Sequence, residues 1–114
     1  MNDKRQCERY SCNGSGDLIT QNNGRVWGHL GDISTRGFYL STFGPWPVNT
    51  DVRFKIEVEG TQICGTGIVA TSHPGVGMAV VFKDMTDDAQ HALSMVVHEL
   101  QGSSERPVGM GLRV

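Results

Sequence analysis

Two short patterns hold residues able to do chemistry. One is Arg5-Gln6-Cys7-Glu8-Arg9, which sets two arginines four apart near the start of the chain. The other is Asp32-Ile33-Ser34-Thr35-Arg36-Gly37, an Asp-x-Ser-x-x-Gly sequence. A guanidinium is a planar fork of donors that grips phosphate oxygens bidentately. The same fork matches the O6 and N7 acceptors of guanine, and its flat face can lie on a base. Asp32 could accept from guanine N1–H and N2–H, which an arginine cannot do. Ser34 can donate or accept, and Gly37 lets the backbone turn tightly or approach a ligand closely. Together these residues suit a phosphorylated guanine ligand. A plainer account stands beside this one. Seven arginines in 114 residues will often fall four apart by chance, and Asp32 and Ser34 can simply bond local backbone in a turn.

The elements that must position these groups read as short strands. Residues 1–16 show no apolar period, and Asn13-Gly14-Ser15-Gly16 is polar and glycine-rich, so this segment is expected to be an arm or loop. Strands are expected at 17–21, 25–31 and 37–43, with a turn at Asn22-Asn23-Gly24. Gly44-Pro45-Trp46-Pro47 breaks the pattern, because proline cannot donate to a ladder. Residues 52–59 alternate apolar and charged without a fault, which puts Val52, Phe54, Ile56 and Val58 on a buried face. A strand at 61–72 follows, with Gly65 and Gly67 suggesting a bulge, and another at 77–83. The second pattern therefore sits in the turn between the second and third strands.

A helix is expected from Thr86, which suits an N-cap, with Asp87 and Asp88 at the positive end of its dipole. Leu93, Val96, Val97 and Leu100 make one apolar stripe. Gly102 is expected to end the helix, leaving residues 102–114 as a loose tail. The expected architecture is mainly β: six antiparallel strands closed into a barrel, with a C-terminal helix packed on it. The organisation is then an arm at 1–16, a barrel and helix at 17–101, and the tail.

Size and charge narrow the function classes. A chain of 114 residues and net charge −2 is one domain's worth and a poor match for long nucleic acid, which needs many cationic contacts. Neither DNA nor RNA is therefore an expected partner. No window approaches a membrane span, and Met1-Asn2-Asp3-Lys4-Arg5 leads into polar sequence unlike a secretory signal. The expected setting is cytoplasmic, with Cys7, Cys12 and Cys64 as reduced thiols and Cys64 as a small core residue. An enzyme is not expected. Ser34 lies outside any G-x-S-x-G elbow, and none of the four histidines neighbours a serine or cysteine in a catalytic motif. Metal is not expected either: Cys7 and Cys12 are too far apart for a zinc pair, and His91 and His98 are ordinary helix histidines. Gly65-Thr66-Gly67 and Gly75-Val76-Gly77 lack the Lys-Ser/Thr ending of a phosphate loop. Trp27, Trp46 and Tyr39 could stack a base, though half-buried packing is their commoner use.

With the two patterns in this order and the second between two strands, the chain resembles the PilZ domain family, bacterial receptor modules for the second messenger cyclic di-GMP. That family carries Arg-x-x-x-Arg in an N-terminal loop, here Arg5 and Arg9, and then Asp/Asn-x-Ser-x-x-Gly, here Asp32, Ser34 and Gly37. Gly77-Met78-Ala79-Val80-Val81-Phe82-Lys83-Asp84-Met85-Thr86 also resembles the family's last strand and its run into the helix. The resemblance covers about residues 4–101. It implies a barrel of the split-barrel type and cyclic di-GMP as ligand, with no other cofactor. Arg5 and Arg9 would grip phosphates and Hoogsteen edges, and Asp32, Ser34 and Gly37 would hold a guanine on the barrel surface. Lys4 and Arg36 are flanking cations that could help. The arm would wrap over the ligand, and the signal would pass to an unidentified protein effector in trans. The alternative is a protein-interaction adaptor of the same fold with an idle nucleotide site. One departure is visible: family members often carry more basic residues at the first motif, whereas Gln6 and Glu8 stand between these arginines.

Overall fold

The alternation at residues 52–58 sets the frame of the molecule. In the computed structural model, which describes residues 8–105, Val52, Phe54, Ile56 and Val58 are all buried and the charged residues between them face water. Seven strands and one helix are present among the described residues: β1 (Tyr10–Ser11), β2 (Gly14–Ile19), β3 (Arg25–Ile33), β4 (Gly37–Ser41), β5 (Asp51–Val58), β6 (Thr61–His73), β7 (Gly77–Asp84) and α1 (Asp87–Glu105). All pairings are antiparallel. Strands run in the order β3-β2-β5-β6-β7-β4, and β4 pairs back onto β3. The six-stranded barrel is thereby closed, and β1 lies outside it against the end of β3. Closure removes the unpaired edges that would otherwise recruit another chain.

The interior is filled by Leu18, Leu30, Ile33, Leu40, Ile63, Val69, Met78 and Val80 together with the β5 residues. Phe38, Phe54 and Phe82 meet in tilted and edge-on pairs, with centroids 5.4 to 5.8 Å apart. Each such pair adds about 0.5–1.5 kcal/mol beyond the area it buries. β6 departs from regular register between Thr66 and Gly67 and again between Val69 and Thr71. The first irregularity falls at the glycines expected to form a bulge.

α1 packs over β6 and β1. Leu93, Val96 and Val97 are buried and Leu100 is half-buried, so the apolar stripe seals the barrel as expected. Thr86 caps the helix: its Oγ1 accepts from the Ala89 N–H at 3.1 Å. No helix among the described residues is long and apolar enough to cross a membrane.

Several local expectations need correction. β2 begins at Gly14, inside the segment expected to be an arm. Those glycines serve close approach: a Cβ on Gly14 would lie 2.1 Å from the Glu57 carbonyl oxygen on β5. β2 also ends at Ile19, and the chain turns across Thr20–Gly24, with Asn23 at a φ of 65°. The helix passes through Gly102 and continues to Glu105. Gly102 does not take the left-handed conformation by which a glycine stops a helix. Cys64 is exposed, because Ile63 takes the inward position and period two turns Cys64 to solvent.

Candidate functional site

Asp32 stands near the end of β3, just past an irregularity in the β3–β4 ladder between Leu30 and Asp32. Ile33 beside it is fully buried, which anchors the strand end in the core. Asp32 is flanked on one side by Tyr39 of β4 and on the other by Ser11 of β1. That second neighbour matters, because the Tyr10–Ser11 pairing with Ile33 and Asp32 ties the root of the arginine-bearing segment to the second motif. Arg9 immediately precedes β1, and its Nε lies 3.9 Å from Asp32 Oδ1. The two motifs, 23 positions apart from Arg9 to Asp32, thus meet in space. Tyr10 and Cys12 pack against the core and hold this junction.

Asp32 Oδ1 is buried and accepts no hydrogen bond among the described residues. The contact with Arg9 is an ion pair in range but too long for a hydrogen bond, which needs about 2.7–3.2 Å. The Arg9 side chain is 64% exposed and so remains accessible. A buried carboxylate oxygen without a donor costs about 1–3 kcal/mol or more. The site therefore presents an acceptor beside an accessible guanidinium.

Ser34 behaves differently. It is only 3% exposed. Its Oγ accepts from the N–H of Arg36 at 3.0 Å and of Gly37 at 3.3 Å, and it donates to the Gly37 carbonyl at 3.4 Å. The Ser34 N–H also donates to the Gly37 carbonyl at 2.9 Å. One hydroxyl has one donor and two acceptor sites, so Ser34 is fully occupied in shaping the turn. Gly37 is buried where β4 meets β7, and a Cβ there would lie 2.1 Å from the Val80 carbonyl oxygen. The Arg36 side chain is exposed beside this turn, while its carbonyl accepts from Phe82. Lys4 and Arg5 lie outside the described residues.

Two features near the site escaped the sequence reading. The first is β1, two residues long and too short for any periodic signal. The second is a pair on the same barrel surface, in which Tyr39 Oη lies 3.1 Å from His73 Nδ1. Trp46 is partly buried against the core, and Trp27 is well exposed on β3, opposite Asp17 of β2. Among the described residues no group of three or more His, Cys, Asp or Glu side chains is placed to hold a metal ion.

Cys12 sits close enough to feel the acids around the site. Burial, then the charges of Glu59 and Asp32, push its thiol up from 9.0 to about 11. A raised thiol value means that the folded state resists forming the thiolate. Stability from this group is complete below pH 9 and is lost as pH rises through about 11. In a Cys7→Ser background, iodoacetamide at pH 8 is expected to alkylate Cys64 well before Cys12. Mass mapping of the modified peptides checks the order, and equal rates would show Cys12 to be neither shielded nor protonated.

A closed antiparallel barrel that sets an acidic strand end against an arginine is a small β-barrel domain with a polar surface site. The chain belongs to the PilZ domain family, whose pattern matches residues 3–99. Among solved structures it is similar to the PilZ domain with c-di-GMP of YcgR from Escherichia coli. The identity is 14% and the TM-score 0.70, over 90% of this chain and 95% of that one. It is also similar to the MrkH–c-di-GMP complex from K. pneumonia, at 16% identity and a TM-score of 0.76, over 92% of this chain and 56% of that one. Bacillus subtilis inhibitor of motility (MotI/DgrA) is matched at 14% identity and a TM-score of 0.75, over 92% of this chain and 55% of that one. The chain thus spans just over half the length of the latter two. Identities this low carry the fold and no more. No curated protein matches the chain closely enough in sequence to count as a relative.

Proposed function

We propose that this chain is a cyclic di-GMP receptor that acts on a partner protein in trans. The observation that carries the reading is Asp32 Oδ1, a buried acceptor without a hydrogen-bond donor, 3.9 Å from Arg9. Guanine N1–H and N2–H are donors of the right kind to occupy it. Arg9, with Arg5 one helical turn's worth of sequence earlier, supplies planar cations for the phosphates and the O6/N7 edge. Ser34 and Gly37 act through the turn, which fixes the end of β3 that carries Asp32. Lys4 and Arg36 add positive charge at the margins. Closing of the segment before Tyr10 over the ligand is the change a partner would read. Family membership and two c-di-GMP-bound relatives of the same fold support this reading.

One observation favours a second reading. Ser34 and Gly37 have complete structural reasons to be present, so their motif does not itself require a ligand. The chain would then be an adaptor of the same fold that binds protein alone. Isothermal titration with cyclic di-GMP separates the two. Heat and saturation are expected for the wild-type protein. Asp32→Ala is expected to weaken cyclic di-GMP by about tenfold to a hundredfold, the worth of a hydrogen bond to a charged group. Cyclic di-AMP, which lacks the N1–H donor, should bind poorly and change little with the variant. Equal losses for both nucleotides would show that Asp32 does not read the base. Absence of heat and of any melting shift at high ligand would leave the adaptor reading.

A further inference from the structure

The outer face of β3, β2 and β5 lies outside the candidate ligand site and carries an unusual set of side chains. Strand register arranges six of them in two rows. Arg25, Ile19 and Arg53 form one row, and Trp27, Asp17 and Lys55 form the next. Neighbouring strands lie about 4.8 Å apart, and same-face residues along a strand about 6.7 Å, so the six make one contiguous patch.

Two properties set this patch apart. Trp27 is 53% exposed in the middle of a regular strand, where its ring covers none of the core. It meets His29 edge-on with centroids 4.8 Å apart, which holds one side of the indole in place. Next to it the cations are unspent. Six lysines and arginines fall within the described residues: Arg9, Arg25, Arg36, Arg53, Lys55 and Lys83. Four of them line two adjoining depressions that share Ile19 and Arg53. Lys83 is taken by Asp51 at 3.0 Å. Arg25, Arg53 and Lys55 form no ion pair among the described residues. They surround a depression of about 250 Å³ in which Asp17 is the one acid, on a chain whose net charge is −2.

We propose that this face docks an acidic segment of a partner protein, with Trp27 as the apolar anchor. Tryptophan and arginine are among the side chains that most often dominate protein interfaces, tryptophan through its large rigid ring and arginine through its planar fork of donors. Carboxylates of the partner pair with Arg25 and Arg53, whose planar forks donate to them bidentately. Asp17, set between Trp27 and Lys55, accepts from a backbone N–H of the same segment. Asp17 and the neighbouring Glu57 also argue against nucleic acid, since each would repel a polyphosphate. This surface gives the trans-acting half of the proposed function a location. Its test uses no nucleotide, so this inference and the ligand reading can fail separately.

The test is a titration of isotopically labelled protein with a short peptide of repeating Asp-Glu-Leu, followed by amide and indole chemical shifts. Shifts are expected at the Trp27 indole N–H and at Arg25, Arg53 and Lys55, and they should shrink with added salt. Arg25→Glu/Arg53→Glu should weaken the response by about tenfold or more, two carboxylate pairings having turned repulsive. The same pair changed to Gln should weaken it less, and Trp27→Ala should remove the indole-side shifts; all three variants sit on the surface and should melt as the wild type does. Shifts scattered elsewhere, or an equal response to a Lys-Arg-Leu peptide, would overturn the proposal. A stronger response to a single-stranded oligonucleotide would overturn it in favour of nucleic acid.

Discussion

Replacing both Arg5 and Arg9 by alanine is expected to abolish measurable binding of cyclic di-GMP while leaving the fold intact. Each guanidinium that grips a phosphate or a guanine edge contributes about 1.5–3 kcal/mol, so losing both weakens binding by about a hundredfold to ten-thousandfold. Stability should hardly move. Arg9 is largely exposed, and its ion pair with Asp32 is at a distance where a surface pair contributes about 0–1 kcal/mol. Isothermal titration and a melting curve on the same sample make the comparison. Arg5→Lys/Arg9→Lys should recover part of the affinity and its salt dependence, because charge survives but the planar fork does not. Wild-type-like affinity in the alanine variant would remove the arginine pair from the site. A melting point that fell with affinity would show instead that the pair holds the protein together.

Glu8 adds a sign to the same result. It stands between the two arginines in sequence and brings negative charge to where phosphates would sit. Neutralising it as Glu8→Gln should tighten the nucleotide modestly, in the direction opposite to the arginine variants.

Much of the fold was legible because it rests on period. β5 alternates without a fault, and a single pass along it identifies four core residues. The stripe on α1 and the Thr86 cap are equally local. What stayed hidden depends on partners distant in sequence. Gly14 and Gly16 look like a flexible stretch until Glu57, Ile56 and Leu40 are placed against them. Tyr10–Ser11 is too short to show any alternation, and its pairing with Ile33 and Asp32 brings Arg9 to the acid. Cys64 has a core-like side chain, but its facing is decided by the neighbour Ile63. The candidate site divides in the same way. Asp32 is an acceptor in any reading, so its chemistry could be stated from the sequence. Ser34 can donate or accept, and the orientation of its hydroxyl into the turn decides which partners it has.

That division makes the last glycine of the second motif the sharpest structural test. Gly37→Ala is expected to destabilise the protein strongly and to reduce nucleotide binding only as a consequence. Gly37 does not have a positive φ, so its need is for space rather than for an unusual conformation. An added Cβ would lie 2.1 Å from the Val80 carbonyl oxygen and 3.1 Å from the Val81 Cα, both backbone atoms of β7. No flexible side chain is there to yield. β4 and β7 must separate instead, at the one point where Gly37 also bonds Ser34 and faces Val81 in the ladder. Overpacking a rigid interior costs about 1–3 kcal/mol, and a backbone clash belongs at the upper end. A loss of about 3 kcal/mol lowers the melting temperature by about 10 °C or more in a domain of this size. Gly44→Ala and Gly102→Ala are the controls. Both positions have open space around them, and the helical Gly102→Ala should gain up to about 1 kcal/mol. If Gly37→Ala melted like the wild type and yet failed to bind nucleotide, the turn would be a ligand contact in its own right. The expected pattern, stability and binding falling together, makes the serine and glycine of the motif the support on which Asp32 is held.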